Sequence, residues 1–243
     1  MSVTSNNLQG VRSRIRAAVE AAQRGADSVE LIAVTKTFSS VRVLEAIAAG
    51  QSAFGENYVQ EGIGKIAEVD ETLGPASTTR PVWHFIGPIQ SNKTRAIAAH
   101  FDWVHGVDRA RIAERLSAQR GMDRGPLDVL IEVNIDREAS KGGVLPEDAL
   151  PLAEAVAGLP RLRLRGLMAI PAVREDVGEQ RRAFARVRAL LETLRARGFD
   201  CDQLSMGMSA DLEAAIAEGA TMVRVGTAIF GTRTKPLSIE ETP

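Results

Sequence analysis

The sequence predicts a closed barrel of eight parallel strands, each followed by a helix, with one additional helix at the N-terminus. Three observations predict it. Eight short apolar or alternating runs recur along the chain, and each is followed by sequence of helical character. The length, 243 residues, suits one barrel of this kind. No shift of composition marks a second domain: residues 1–233 read as the barrel and residues 234–243 as a frayed tail. A doubly wound open sheet is the alternative, because alternation of strands and helices does not by itself prove closure.

The elements follow in order. Leu8, Val11, Ile15, Val19 and Ala22 recur every three or four residues, an amphipathic helix closed by Gly25. Leu31–Val34 is an uninterrupted apolar run that suits a strand buried on both faces, and Lys36 follows directly. Ser39 or Ser40 caps the next helix, which Gly50 stops. Ser52–Phe54 is a second strand, with Gly55, Glu56 and Asn57 as its turn and a helix from Val59 towards Val69. A linker from Gly74 to Pro81 leads into strand Val82–Ile86 and a helix over Ser91–Ala99. Phe101–His105 is the fourth strand, and Asp108 caps the helix through Arg120. Leu127–Val133 is the fifth, followed by a polar loop, Asn134–Pro146, and a helix ending at Gly158. Arg161–Met168 is the sixth strand; Phe184, Val187, Leu191 and Leu194 mark a helix ended by Gly198. Asp202–Ser205, a helix over Ala210–Glu218 and strand Thr221–Val225 complete the set.

Composition excludes several classes of function. A net charge of −1 supplies no basic field for nucleic acid or an anionic membrane. The first residues hold no apolar signal core, and no apolar run is long enough for a transmembrane helix. The single cysteine, Cys201, excludes an internal disulfide framework and suits a reducing, cytoplasmic setting. It also leaves no zinc signature, and Gly207–Asp211 lacks the second glycine of a serine-hydrolase elbow.

The strand exits carry the chemistry. Lysines are few (Lys36, Lys65, Lys93, Lys141 and Lys235), and Lys36 stands where the first strand meets its loop. An amine held against an apolar wall is disfavoured in its charged form and becomes a usable nucleophile; the alternative is a lysine that ends a strand and reaches solvent. Ser205-Met206-Gly207-Met208-Ser209 precedes a helix, and Gly226 and Thr227 end the eighth strand. Small residues with free N–H groups there suit an anion, and barrels place phosphate sites after strands seven and eight. Ser209 serves equally well as an N-cap. Arg224 lies beside these turns, and His84 within strand three reads first as an interior histidine. An amine plus a phosphate cradle describes a site for a phosphorylated aldehyde, met by pyridoxal phosphate or by a sugar-phosphate substrate of an aldolase.

Five blocks in order, AVTKTF (33–38), FGENYVQE (54–61), WHFIGPIQSNK (83–93), LSMGMSADLEAAI (204–216) and VRVGTAIFG (223–231), resemble the pyridoxal phosphate homeostasis protein family from Leu8 to Gly231. The resemblance implies a barrel similar to the N-terminal domain of alanine racemase, with pyridoxal 5'-phosphate held covalently on Lys36 as a Schiff base. It implies Asn57 near the cofactor ring, Arg224 facing the pyridine nitrogen, and Ser205 or Ser209 with Gly226 and Thr227 on the phosphate. Met168 and His84 join the pocket on the same grounds. The implied role is storage and delivery of the cofactor to apo-enzymes, maintaining vitamin B6 and amino-acid balance, without enzymatic turnover. An always-charged arginine at the pyridine nitrogen makes the ring a poorer electron sink, and the only tyrosine is Tyr58. The competing expectation is a racemase-like enzyme of narrow specificity with Tyr58 or His84 opposite Lys36. With no second domain to complete a shared site, a monomer is expected.

Overall fold

The computed structural model describes residues 2–232; the expected tail, residues 234–243, lies outside the described residues. The strands are β1 (Glu30–Val34), β2 (Ala53–Glu56), β3 (Val82–Phe85), β4 (Trp103–Val107), β5 (Leu127–Val133), β6 (Leu162–Ala169), β7 (Gln203–Ser205) and β8 (Met222–Val225). Each pairs in parallel with its successor. β8 returns to β1, with Glu30 opposite Met222 and Ala33 opposite Val225, which closes the sheet and removes the open-sheet alternative. The protein is a TIM barrel of the expected architecture.

The helices are α1 (Val3–Ala21), α2 (Ser40–Ala48), α3 (Val59–Leu73), α4 (Thr94–His100), α5 (Ala110–Gln119), α6 (Ala149–Ala157), α7 (Val177–Ala196), α8 (Leu212–Ala217) and α9 (Thr227–Phe230). None is long and apolar enough to cross a membrane, among the described residues. The additional helix, α1, packs on α2, α8 and α9 and so bridges the seam where the barrel closes. Its inward stripe of Leu8, Val11, Ile15 and Val19 is buried, and Thr4 Oγ1 donates to Glu45 at 2.6 Å, Asn7 Nδ2 to Ile229 O at 3.0 Å.

Side chains alternate along each strand between two cores. Outward positions join the large helix–sheet core, with Phe54, Phe85 and Val104 fully buried. Inward positions include Ile32, Ala53, Leu130, Met168 and Met222, packed together with Trp103. Two residues further along the same inward rows, His105 follows Trp103 and Arg224 follows Met222. The barrel interior therefore turns polar towards the strand C-termini. Where β6 meets β7 the backbones approach closely at Gly166, whose φ is 151° and whose added Cβ would lie 2.0 Å from Gln203 O. Gly166→Ala is expected to cost roughly 2–3 kcal/mol, read as a lower urea midpoint.

Several local expectations are corrected. α1 starts at Val3, where Ser2 caps it by accepting from Ser5 N at 3.2 Å, and it ends at Ala21, ahead of a positive φ at Gln23, rather than at Gly25. Asp108 does not cap α5: the helix starts one residue later, after Arg109, and the Asp108 carboxylate is taken by the Arg109 guanidinium at 2.8 Å. Ser39 sits at the start of α2 without a side-chain cap bond. The expected helix over Ser91–Ala99 opens as a tight turn, Ser91–Lys93, before α4. Ala210 and Ser209 precede α8 by a turn, so Ser209 is not its cap; Asp211 stands there and its carboxylate accepts from Met208 N at 2.6 Å. Gly55 and Glu56 are not a turn but the end of β2, paired with His84 and Phe85. The short α9 carries too few residues for a period and escapes sequence reading.

Candidate functional site

A cavity of about 310 Å³ opens at the C-terminal ends of the strands. Its walls are Val34, Phe38, Ile86 and Ile170, with Lys36, Asn57, Ser209, Arg224, Gly226 and Thr227 among its polar and backbone lining. Six of the nine expected residues thus converge from the exits of β1, β2, β7 and β8, although they span the chain from 36 to 227. The barrel brings them together because every strand exit faces one end. A larger hollow, about 690 Å³, lies at the opposite end among Arg12, Glu30 and Gln51. Arg12 is already engaged there by Ala49 O, Gly50 O and Gln51, so the smaller cavity is the better candidate.

His84, Met168 and Ser205 do not line the cavity. Each is in the barrel interior, for a different reason. Met168 belongs to the inward apolar cluster. Ser205, one of the two serines expected at the phosphate, is fully buried, and its Oγ accepts from Arg224 Nη1 at 2.6 Å. His84 is fully buried and stacks on Trp103.

These interior groups form one chain. His84 Nδ1 lies 3.0 Å from His105 Nε2, and His105 Nδ1 lies 2.9 Å from Ser205 Oγ. Arginine can only donate, so Ser205 Oγ accepts from Arg224, and the direction of the bonds running on through His105 and His84 follows the tautomers of the two rings. His84 Nε2 is buried and without a partner among the described residues. Burial lowers the His84 pKa to about 3; burial, with His84 and Arg224 nearby, drives His105 well below its ordinary value. Both rings are therefore neutral at physiological pH.

Arg224 is held by this chain. Nη1 donates to Ser205 O and Oγ, both at 2.6 Å, and Nη2 donates to Ala169 O at 3.0 Å. Three of five donors are spent among the described residues, which leaves Nε–H and one Nη2–H. Burial lowers its pKa to about 10, with Asp211 and Glu132 opposing, so it remains a cation at neutral pH. Asn57 Oδ1 is buried with no partner among the described residues, a second unspent group at the cavity. At Gly226 a Cβ would lie 3.1 Å from Val34 O and 3.3 Å from Val34 Cβ; glycine there keeps the β8 turn tight against β1.

Lys36 is half-buried between Thr35 and Thr37 in the turn after β1. Sequence reading missed the groups behind that turn. Lys65, on α3, is buried and donates to Glu56 Oε1 at 2.5 Å, Thr35 O at 2.7 Å and Glu61 Oε1 at 2.9 Å. All three ammonium protons are used, and Lys65 does not line the cavity. One signal was available: Gly62, Lys65, Ile66 and Val69 share the buried stripe of α3, and a lysine in such a stripe needs an ionic partner. Glu56 is raised by burial, with Lys65 pulling the other way.

Comparison with known proteins shows the family of the chain. Residues 7–234 match the family described as alanine racemase, N-terminal domain. A pyridoxal phosphate homeostasis protein of Pseudomonas aeruginosa is 55% identical over 233 residues, 96% of this chain and 97% of the relative. Its Escherichia coli K12 counterpart is 51% identical, over 96% of this chain and 98% of the relative. PipY of Synechococcus elongatus, solved with PLP bound, superposes with a TM-score of 0.80 at 36% identity, over 94% of this chain and 100% of that one. The chain belongs to the alanine racemase N-terminal domain family and, within it, to the pyridoxal phosphate homeostasis proteins.

Proposed function

We propose that this protein binds pyridoxal 5'-phosphate through Lys36 as a Schiff base and holds it for delivery to apo-enzymes, in the service of vitamin B6 and amino-acid balance. One observation carries the reading: a single cavity joins the half-buried Lys36 to the exits of β7 and β8 and to a charged Arg224 with two unspent donors. The residues present fit the cofactor. Asn57 Oδ1 is a buried atom awaiting a partner, and the cavity volume suits a small ring compound with a polar tail. When bound, pyridoxal phosphate supplies an aldehyde that condenses reversibly with a primary amine, releasing water, and is surrendered by exchange with a second amine.

The chain's own groups divide the remaining work. Ser209, Thr227 and the tight Gly226 turn line the cavity and would receive the phosphate. Arg224 would face the pyridine nitrogen of the bound cofactor and, being charged, would disfavour protonation there. Val34, Phe38 and Ile86 exclude water from the lysine. The reading includes little or no turnover. Among the described residues no histidine or tyrosine lines the cavity: Tyr58 is 56% exposed outside it, and His84 is committed to His105. That weighs against a racemase-like enzyme, and a monomeric, cytoplasmic carrier is the corresponding proposal.

Titration of the apo-protein with pyridoxal phosphate is expected to give a visible imine band. The loaded protein then restores activity to an apo-enzyme that depends on this cofactor. Absence of the band contradicts binding through an amine. Racemisation or decarboxylation of an amino acid at about 1 s⁻¹ or faster contradicts the carrier reading.

A further inference from the structure

The buried ion cluster behind Lys36 touches both of its chain neighbours. Thr35 Oγ1 donates to Glu56 Oε1 at 2.6 Å, and Thr35 O accepts from Lys65 Nζ at 2.7 Å. On the other side, Thr37 N donates to Glu61 Oε1 at 2.5 Å. Phe38 N closes the turn on Thr35 O at 3.0 Å, and Thr37, its third residue, has a φ of 67°. A β-branched residue is strained there, where glycine is the ordinary choice, so the turn needs an external hold. Lys65 supplies it, with its side chain 4% exposed, by joining Glu56 at 0% and Glu61 at 31% into one unit.

A buried ion pair is a poor device for stability, because desolvation offsets most of the attraction. Its bonds here go to the two residues that flank Lys36. We infer that Lys65, with Glu56 and Glu61, is a positioning element that fixes the Lys36 amine for attack on an aldehyde held in the cavity. The inference rests on the proposed role of Lys36. Lys65 touches no ligand itself; it acts through Thr35 and Thr37, and it sets how readily the imine forms rather than how well the phosphate and ring are held.

Two ligands separate these effects. Pyridoxal phosphate binds with imine formation and loss of water, whereas pyridoxine 5'-phosphate, an alcohol, has no aldehyde and binds only by contacts. In Lys65→Met the affinity for pyridoxal phosphate is expected to fall by about tenfold or more, while that for pyridoxine phosphate stays within about twofold. Glu61→Ala, at a partly exposed position, removes the hold on Thr37 and leaves the Lys65–Glu56 pair in place. It is expected to show the same split with a smaller loss, and it decides the matter if Lys65→Met does not fold. Equal weakening of both ligands indicates a merely structural cluster and overturns the inference, as does an unchanged affinity for both. If the unaltered protein forms no imine on Lys36, the proposed function fails first; if it does and both variants match it, only this inference fails.

Discussion

Lys36→Ala is expected to abolish covalent retention of pyridoxal phosphate while leaving the barrel intact. The side chain lies at the cavity rather than in either core, so its removal costs little packing. The phosphate turns, Arg224 and Asn57 remain, and residual binding is by contacts alone. Loss of the imine is expected to weaken binding roughly 100-fold, equivalent to about 2.7 kcal/mol. In practice the unaltered protein keeps its visible absorbance through gel filtration and the variant emerges colourless. Equal retention by both proteins contradicts the assignment of Lys36.

Acid is expected to destabilise the fold through the interior histidines. His84 is neutral when folded because burial holds its pKa at about 3, and His105 is pushed down in the same direction. Once unfolded, both regain an ordinary value near 6.5. Below that pH the unfolded chain binds protons that the folded chain refuses, so stability falls as pH drops from about 6.5 towards the folded values. The loss approaches about 1.4 kcal/mol per pH unit for each histidine. Glu56 and Glu132, whose pKa values are raised chiefly by burial, act oppositely, since the folded state takes up their protons more readily. Urea unfolding at pH 7 and pH 5 isolates the histidine part when the protein is compared with a His84→Leu/His105→Gln variant, which keeps those carboxylates. The unaltered protein is expected to lose several kcal/mol more than the variant over this interval, by the same linkage. Equal losses contradict the neutral-chain account.

The chain order was legible because the barrel's strands are apolar runs and its helices amphipathic stripes, signals that survive in local sequence. What failed locally was decided by partners far away. Gly55 and Glu56 have turn composition, yet they extend β2, because Glu56 finds Thr35 and Lys65 on neighbouring elements. Asp108 has the composition of a cap, but the adjacent Arg109 claims its carboxylate. Of the site, the blocks after β1, β2, β7 and β8 led to Lys36, Asn57, Ser209, Arg224, Gly226 and Thr227, which the cavity gathers. The resemblance offers Ser205 or Ser209 for the phosphate, and of the two only Ser209 lines the cavity. Along a strand successive side chains face opposite ways, and Ser205 meets His105, a hundred positions away. No spacing rule reaches that distance, and for the same reason the neutral histidine chain and the Lys65 cluster emerge only from the fold.

The most direct test of the central claim is to load the protein with pyridoxal phosphate, reduce it with borohydride, digest it and locate the modified lysine by mass spectrometry. The account predicts the pyridoxyl phosphate mass on the peptide that contains Lys36. Modification of Lys65, Lys93 or Lys141 instead, or of no lysine, contradicts it.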